Sequence, residues 1–342
     1  MFDPIKSAKD AGLKYVTDQM PGILRKKNGK SFTYIDSTTK KIPLKKDMDR
    51  IKALVIPPAW TDVWICKNPN GHLQVTGRDV KKRKQYRYHE KWTSYRNTTK
   101  FGGLKLLCTK LPALRKKIEH DLKLPDLQRE KVLAAVLKTM LITRTRVGNS
   151  EYAVENETYG LTTILNEHAK VKGKKIKLNF KGKSGVAHDI AFDDETISKI
   201  IKRCQDLPGE ELFAFVEDDH VTDINSQHVN EYLREATGED FTAKDLRTWC
   251  GTCEALKLLM KDCPPKKLSE NQLKKRHISI IKETAAQLRN TVAVCKKYYI
   301  HPVVLEADAN LILEKLGKAC TSSSKYFQKE EKVLESLLKK LK

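Results

Sequence analysis

The side chains best suited to chemistry are three cations in unusual local settings. Arg146 stands at the end of a predicted helix, Lys183 on a predicted hairpin turn and Arg247 in the first turns of a capped helix. A phosphodiester undergoing substitution gains negative charge, which two bidentate arginines can stabilise while a lysine protonates the departing oxygen. Each cation taken alone is better explained as a solvated or ion-paired surface residue, and this chemistry also needs a nucleophile.

A second group is a basic segment that covers residues 78–88. Its cations and tyrosines are Arg78, Lys81, Lys82, Arg83, Lys84, Tyr86, Arg87 and Tyr88. On a strand, the two tyrosines would share one face. Cations that neutralise phosphates, beside flat side chains that contact bases or sugars, favour binding to duplex nucleic acid. The charge pattern alone equally fits a solvated basic loop or a nuclear-import signal.

Three further motifs carry little chemistry. Gly182-Lys183-Ser184 lacks the glycine that a phosphate-binding loop has five residues earlier, because Lys177 stands there. Cys250 and Cys253 form a lone C-x-x-C pair on a predicted helix, so we interpret them as buried thiols. The acidic run 217–219 is interpreted as a solvated turn. We therefore expect no metal site.

The composition indicates an acidic polymer as the partner. The chain has 342 residues with 66 Lys and Arg against 43 Asp and Glu, a formal net charge of +23. A basic surface gains affinity for nucleic acid by releasing condensed counterions, and double-stranded DNA is the partner that we expect. A hydrophobic fraction of 39% is enough to bury cores, which excludes disorder throughout.

The sequence predicts a soluble, intracellular protein with no membrane contact. It has no run of about 18 apolar residues and begins without the charged-then-apolar pattern of a signal peptide. Its eight scattered cysteines are typical of free thiols in a reducing compartment. Cytoplasm, nucleoid and virion all stay open as the location.

These residues are distributed over two predicted domains of an α+β protein. Residues 1–92 form a small β-rich domain, because short β-like segments alternate with turn pairs such as Asn28-Gly29. Residues 93–342 form a larger, mainly helical domain, in which apolar residues of the stretch 132–141 recur at helical spacing. A linker is expected near residues 89–95.

The helical domain is predicted to contain a three-stranded antiparallel sheet. Its strands are 162–165, 175–180 and 186–192. Lys183 then stands at the tight turn between the last two strands. Helices resume after the sheet, one of them at a capping box of Thr242 and Asp245, and a final amphipathic segment covers 330–342.

Five segments carry a family resemblance through their order and approximate spacing. They are Arg146-Val147-Gly148, Glu155-Asn156-Glu157-Thr158-x-Gly160-Leu161, Phe180-x-Gly182-Lys183, Lys244-Asp245-Leu246-Arg247-Thr248 and Lys296-Lys297-Tyr298-Tyr299-Ile300. As a set they resemble the type IB DNA topoisomerases, specifically the compact branch of poxviruses, bacteria and giant viruses. The resemblance extends to segments 56–63 and 85–88, so it covers nearly the whole chain.

This resemblance implies transient cleavage of one DNA strand, followed by rotation and religation. Tyr299 would attack the phosphodiester and become joined to the 3′ phosphate, with Arg146 and Arg247 clamping that phosphate. Lys183, on a mobile hairpin, would protonate the 5′ oxygen, and Asn290 would donate one hydrogen bond to a non-bridging oxygen. Because the phosphotyrosine linkage conserves the energy of the broken bond, neither ATP, metal nor another cofactor is expected.

Asn290 departs from the poxvirus pattern, which has histidine nine residues before the nucleophile. Asparagine can donate the same hydrogen bond but cannot become cationic, so we expect the contact without charge assistance. A straight helix places residues nine apart about 180° around its axis, so we expect a turn near Thr291. Asn149 and Glu151 replace basic DNA-contacting residues of the poxvirus type, and Tyr152 beside them is a further predicted DNA contact.

Several alternatives stay open. Tyr298 and, less favoured, Tyr326 compete with Tyr299 as the nucleophile. A tyrosine recombinase shares the chemistry, although it usually has histidine where this chain has Lys244 and a helical arm domain in place of a β-rich one. A non-catalytic DNA-binding or packaging protein would explain the charge alone. The resemblance favours a monomeric, C-shaped clamp of two domains that encloses duplex DNA and relaxes supercoils of either sign.

Overall fold

The computed structural model divides the chain into two compact units. The described residues are 4–29, 31–80, 82–99, 101–148, 153, 157–264, 266–320 and 324–340, without the side chains of 97–99. The units are Met1–Lys100 and Phe101–Lys342. Two of the predicted DNA contacts, Lys81 and Tyr152, lie outside the described residues.

The first unit contains an antiparallel sheet of five strands in the order β2-β1-β3-β4-β5. Its elements are α1 Pro4–Asp10, β1 Gly22–Asn28, β2 Ser31–Asp36, α2 Lys45–Ala53, β3 Thr61–Cys66, β4 Leu73–Arg78, β5 Lys84–Tyr88 and α3 Glu90–Thr99. The predicted β-rich amino-terminal region is therefore confirmed.

Turns and burial set the register of this sheet. Asn28 pairs with Ser31, and Gly29 between them has φ of 57°, a left-handed conformation that glycine adopts without strain. The core of the sheet consists of Ile23, Ile51, Val63, Ile65 and Val75. The edge strand β5 leaves Tyr86 and Tyr88 exposed on one face, because successive side chains alternate.

The predicted division after residue 92 falls inside α3. Trp92 on this helix packs against Ala8 and Leu13 of the amino-terminal segment. The helix therefore belongs to the first unit, and most of the segment 89–95, which we predicted as a linker, is helical. The observed division comes after residue 100.

The second unit is mainly helical, as predicted. Its helices are α4 Leu104–Asp121, α5 Arg129–Thr143, α6 Glu195–Gln205, α7 Ser226–Thr237, α8 Ala243–Lys261, α9 Glu270–Leu288, α10 Val292–Tyr298, α11 Pro302–Ala309, α12 Ile312–Ala319 and α13 Lys329–Lys339. Its strands are β6 Ala169–Lys172, β7 Lys175–Lys181, β8 Ala187–Asp193, β9 Ala214–Glu217 and β10 His220–Asp223.

Helix α5 lies in the middle of the second unit. Each side chain from Val132 to Leu137 is fully buried, so the helix is apolar all around rather than along one stripe. Helices α4, α6, α7 and α8 and strands β8 and β9 all contact it. The predicted helix at 132–141 is confirmed, and its end is therefore held firmly by the core.

The three-stranded antiparallel sheet is present, in the order β6-β7-β8. Its second and third strands are those predicted, and Lys175 to Lys181 pair with Asp193 to Ala187. The first strand is Ala169–Lys172 and not 162–165. Gly173, with φ of 59°, forms a tight turn with the next residue, so the residues directly before that turn pair with β7.

The segment predicted as the first strand supports the site in another way. The Thr162 and Thr163 hydroxyls accept hydrogen bonds from the N–H groups of Gly148 and Gly160, each at 3.0 Å. A Cβ at Gly160 would lie 2.6 Å from the backbone nitrogen of Gly148, so this close approach requires glycine. The chain just after Arg146 is thereby fixed.

Two local predictions are confirmed in the described residues. Asp218 and Asp219 have positive φ values and form the turn between β9 and β10, which is the predicted acidic turn. At the start of α8, Asp245 Oδ2 accepts from the Thr242 N–H at 2.9 Å and from its hydroxyl at 2.7 Å. This capping box fixes where α8 begins, and therefore on which turn Arg247 lies.

Candidate active site

The ends of α5 and α9 bring Arg146 and Asn290 together. Arg144 ends α5 and Arg289 ends α9, both in the left-handed conformation, with φ of 57° and 52°. Arg289 Nη1 donates to the carbonyl oxygen of Thr143 at 3.1 Å, which ties the two helix ends to each other. Beyond this tie, Arg146 Nη2 donates to Asn290 Oδ1.

The expected turn between Asn290 and Tyr299 is present. Helix α9 ends at Leu288, and α10 begins directly after Thr291, whose hydroxyl caps it. Because the helix is interrupted, Asn290 and Tyr299 are not forced to opposite sides of one axis.

One face of α8 supports the backbone at Tyr299. The Thr248 hydroxyl lies 3.4 Å from the Tyr298 carbonyl oxygen, and the Thr252 hydroxyl lies 3.2 Å from that of Tyr299. Gly251 lies on the same face, and a Cβ there would be 2.7 Å from the Tyr299 carbonyl oxygen. Glycine at 251 therefore lets the two segments approach closely.

Arg247 reaches the Tyr299 ring from this same helix. Arg247 is only 3% exposed, and its guanidinium carbon lies 5.3 Å from the centre of the Tyr299 ring. Its Nη2 donates to the Leu288 carbonyl oxygen at 3.1 Å. Its Nε and Nη1 have no hydrogen-bond partner among the described residues. A buried guanidinium with two unpaired nitrogens is stabilised by an anion.

The Tyr299 phenol lies in a positive electrostatic environment. Burial acts to raise the pKa of Tyr299, but the charges of Arg247 and then Arg146 outweigh it and hold that pKa below its ordinary value. The arginines thus favour loss of the phenolic proton. A more readily formed phenolate is a better nucleophile toward phosphorus.

Unpaired polar atoms are concentrated at this site. Nine buried side-chain nitrogens and oxygens in the described part of the chain lack a partner, and five of them belong to Arg247, Asn290 and His188. After burial, the main influences on the pKa of His188 are the charges of Arg289, Arg146 and Arg247, so this histidine belongs to the same neighbourhood. The acceptor oxygens of a phosphate would match the unpaired guanidinium and amide N–H groups.

The contacts that join Arg146 to Asn290 and Arg247 to Tyr299 do not include Lys183. It stands on the turn between β7 and β8, as predicted, with Ser184 and Gly185 in left-handed conformations. The Gly182 N–H closes this turn by donating to the Val186 carbonyl oxygen at 2.8 Å. Lys183 is exposed, and within the described ranges it makes no hydrogen bond or ion pair. Its ammonium group is therefore available to a ligand.

The predicted DNA contacts of the first unit lie on β4, on β5 and between them. Tyr86 and Tyr88 are 47% and 45% exposed, and their rings stack with centres 6.1 Å apart. The prediction that both tyrosines share one face is confirmed. Together they present a flat aromatic surface on the edge strand.

Some cations of this segment already have acidic partners. The pairs are Arg83–Asp79 at 2.6 Å, Lys84–Asp18 at 2.6 Å and Arg78–Asp62 at 3.8 Å. The three basic side chains remain 39–46% exposed, so they can still reach a phosphate. Lys82 and Arg87 form no ion pair with any described residue.

The competing tyrosines lie in different surroundings. Tyr298 is 36% exposed, and its ring faces the ammonium groups of Lys244 and Lys297 at 6.0 and 5.3 Å. The Tyr326 hydroxyl donates to Glu119 at 2.9 Å. Among the three candidates, Tyr299 has Arg247 against its ring.

The described residues also bear on metal binding, on the cysteine pair and on membrane insertion. No group of three or more His, Cys, Asp or Glu side chains there could hold a metal ion. Cys253 is buried on α8 as predicted, whereas Cys250 is only half-buried, and desolvation raises the pKa of both thiols. No helix in these ranges has the length and apolar character that crossing a bilayer requires.

Sequence reasoning missed the residues that position the catalytic candidates. His188, Arg289 and Gly251 belong to the site but carry no motif of their own. The pair Thr248 and Thr252 could have been found, because residues four apart on a helix that carries Arg247 face the same way. His188 offered no signal beyond its place on a strand next to the Lys183 turn.

Comparisons with known proteins indicate the family of this chain. A sequence model of the family described as eukaryotic DNA topoisomerase I, catalytic core, matches residues 83–325. A second, described as bacterial DNA topoisomerase IB, N-terminal domain, matches residues 31–79. The first match covers most of the second unit together with β5 and α3 of the first, and the second match covers β2, α2, β3 and β4.

Individual relatives are similar over most of their length. DNA topoisomerase 1B of Acanthamoeba polyphaga mimivirus is 34% identical over 298 residues, which cover 85% of this chain and 88% of the relative. DNA topoisomerase 1B of Vaccinia virus (strain Copenhagen) and DNA topoisomerase I of Monkeypox virus are each 24% identical over 289 residues, with 82% and 88% coverage. The chain therefore belongs to the type IB DNA topoisomerase family.

Proposed function

We propose that this chain relaxes supercoiled double-stranded DNA by cutting one strand through Tyr299, letting it rotate and resealing it. The observation that carries the proposal is the set of unpaired, buried N–H groups on Arg247 and Asn290 beside a tyrosine whose pKa is lowered. A phosphodiester bound there would have its non-bridging oxygens against these donors and its phosphorus near the phenol.

In the proposed cleavage step, the Tyr299 oxygen forms a bond to phosphorus while the bond to the 5′ oxygen breaks. The products are a 3′-phosphotyrosyl diester and a free 5′ hydroxyl. Arg247, Arg146 and Asn290 would stabilise the charge that develops on the non-bridging oxygens. Religation reverses these events. One phosphodiester is exchanged for another, so we propose that neither ATP nor a metal ion takes part.

We further propose that Lys183 is the general acid. The departing 5′ oxygen needs a proton, and an exposed ammonium group on a hairpin turn can close on it once DNA is bound. The phenolic proton of Tyr299 leaves separately, aided by the two arginines. The phenolic proton passes to water and Lys183 regains a proton from water, so the proton that Tyr299 loses balances the one that the 5′ oxygen gains.

The first unit would bind the duplex outside the cleavage site. Exposed Tyr86 and Tyr88 and the cations of segment 78–88 support this role, because such groups position DNA through phosphates and sugars. We propose that the protein acts on duplex DNA as a monomer. Its site of action would be an intracellular compartment that holds DNA.

The alternatives are less well supported. A packaging protein has no use for unpaired N–H groups next to a tyrosine of lowered pKa. A recombinase would act only on its own paired sites. The relatives whose matches cover 82–85% of this chain are named DNA topoisomerases.

The test is relaxation of negatively and positively supercoiled plasmid in EDTA, without ATP. The wild type should relax both, Tyr299→Phe neither, and Tyr298→Phe, which removes the neighbouring hydroxyl, should keep the activity. Light scattering during the assay should report one chain per complex. Relaxation by Tyr299→Phe, or a strict need for a metal, would contradict the proposal.

A further inference from the structure

His188 is the buried residue at this site that the proposed chemistry does not use. It lies on β8, is 3% exposed and stacks on Phe180, with ring centres 4.6 Å apart and planes at 28°. Neither ring nitrogen has a hydrogen-bond partner among the described residues. Burial of an imidazole without polar partners costs folding free energy, so we expect its position to serve a function.

The ring lies directly against Gly182, the residue before Lys183. A Cβ at Gly182 would be 2.4 Å from His188 Nε2 and 2.7 Å from Cδ2. The Gly182 backbone itself, with φ of −92° and ψ of −170°, is extended and open to any residue. Glycine is therefore required by contact with the imidazole and not by backbone conformation.

Gly182 also makes the hydrogen bonds that close the turn. Its N–H donates to the Val186 carbonyl oxygen at 2.8 Å, and its own carbonyl oxygen accepts from the Gly185 N–H at 3.0 Å. Lys183 lies within this closed turn. His188 therefore contacts the backbone segment that fixes the position of the Lys183 Cα atom.

Burial and the charged groups around the ring keep it neutral. Burial first, and then the positive charges of Arg289, Arg146 and Arg247, lower the pKa of His188 to about 4. A protonated ring would add a further cation beside three guanidinium groups. At neutral pH the residue is an uncharged ring between Phe180 and Gly182.

We propose that His188 is a positioning residue for Lys183. Its ring, held between Phe180 and the Gly182 backbone, sets the start of the turn and so the point that the Lys183 ammonium reaches on bound DNA. The inference rests on the proposed function of Lys183 as the general acid.

The test compares two DNA substrates in single-turnover cleavage. One is ordinary, and the other has sulfur in place of the bridging 5′ oxygen at the cleavage site. In the second, the Tyr299 oxygen bonds to phosphorus while the phosphorus–sulfur bond breaks and a thiolate leaves with the electron pair. A thiol has a pKa of about 8.5, far below that of an alcohol, so the thiolate needs no proton from an acid.

Variants that impair the general acid should cleave ordinary DNA slowly, and their cleavage rate should recover on the sulfur substrate. Lys183→Ala should lose about 10²–10⁴-fold on ordinary DNA and recover on the sulfur substrate. His188→Ala should lose about 10²-fold, as expected for a misplaced catalytic group, and should recover in the same way.

A second variant tests the contact if His188→Ala folds poorly. Gly182→Ala adds only the clashing Cβ, so it should show the same loss and the same rescue. The double variant should be no slower than His188→Ala, because the clash is then absent. The control is His168→Gln: this histidine also lies near the Phe180 ring, at 6.2 Å, but its charged neighbour is Glu167, so both rates should stay near wild type.

The contradicting results are distinguishable. If Lys183→Ala is rescued by sulfur but His188→Ala and Gly182→Ala are not, His188 does not act through the lysine, and the proposed function survives. Wild-type rates in both variants also overturn the inference. If Lys183→Ala itself is not rescued, the proposed acid is wrong and the inference falls with it.

Discussion

Replacement of Glu331 by glutamine should destabilise the second unit strongly. Glu331, in the first turn of α13, is 4% exposed. Its carboxylate accepts from Arg115 Nη1 and Nη2 at 2.7 and 2.6 Å, from Trp249 Nε1 at 3.0 Å and from the Gln328 N–H at 2.8 Å. Because Arg115 lies on α4 and Trp249 on α8, this one group joins α13 to both helices.

The magnitude follows from burial of the ion pair. Glutamine presents one acceptor oxygen in place of two and leaves the largely buried Arg115 guanidinium without a counter-charge. Removal of one partner from a buried pair costs about 3–5 kcal/mol. A unit of about 240 residues loses about 2–4 °C of Tm for each kcal/mol. Glu331→Gln should therefore lower Tm by about 6–20 °C.

Thermal unfolding followed by circular dichroism at neutral pH measures this loss. Glu335→Gln is the matched control, because it makes the same change on the same helix at a residue paired with Lys339, whose side chain is 63% exposed. The control should leave Tm close to wild type, since exposed pairs contribute little. Equal Tm values for the two variants would refute the reasoning.

The same interaction predicts a pH dependence. Burial acts to raise the pKa of Glu331, but the bond and charge of Arg115 outweigh it, so the folded pKa lies below the ordinary value of 4.5. The stability that this group contributes is present above pH 4.5 and is lost as the pH falls through the folded pKa. The Tm difference between wild type and Glu331→Gln should therefore shrink in acid, and a difference that grows would contradict the assignment.

Three further predictions concern the site and the DNA contacts. Gly251→Ala should slow cleavage by about 10²-fold, because its Cβ would lie 2.7 Å from the Tyr299 carbonyl oxygen. Gly103→Ala, whose Cβ would make only an ordinary contact of 3.7 Å with Phe241, is the control in single-turnover cleavage. Arg247→Ala should raise the pKa of Tyr299, because burial then acts without the positive charge that lowers this pKa most. Ultraviolet titration of this variant, compared with the same variant carrying Tyr299→Phe, measures the pKa of Tyr299. An unchanged pKa would contradict the assigned influence of Arg247. Arg87→Gln should reduce the slope of log affinity against log salt by about one, as loss of a phosphate contact does. Fluorescence anisotropy with labelled duplex gives that slope, and the wild-type value would exclude the contact.

Local patterns were sufficient to predict much of the fold. Alternating strands with Asn-Gly turns, the apolar period of α5 and the capping box at Thr242 act over a few residues, so the sequence displays them directly. The first strand of the small sheet was wrong because two β-like segments compete for the same partner. The glycine turn at 173 decides between them, and Thr162 and Thr163 are used instead to hold Gly148 and Gly160.

The candidate site was predictable only as a set of residues. Arg146, Arg247, Asn290 and Tyr299 came from the family resemblance, and the sequence required the turn near Thr291. What positions them depends on contacts between distant segments. Arg289 reaches Thr143 across 146 positions, and α8 reaches the Tyr299 backbone across almost 50. Contacts of that kind leave no periodicity in the chain.

The most direct test of the central claim is to identify the tyrosine that becomes joined to DNA, and the DNA end that it holds. Cleavage of a duplex that cannot religate, followed by protease digestion and mass spectrometry, reports both. The account predicts one adduct, on Tyr299, carrying a 3′ phosphate, and none in Tyr299→Phe. An adduct on Tyr298 or Tyr326, or a link to a 5′ phosphate, would contradict it.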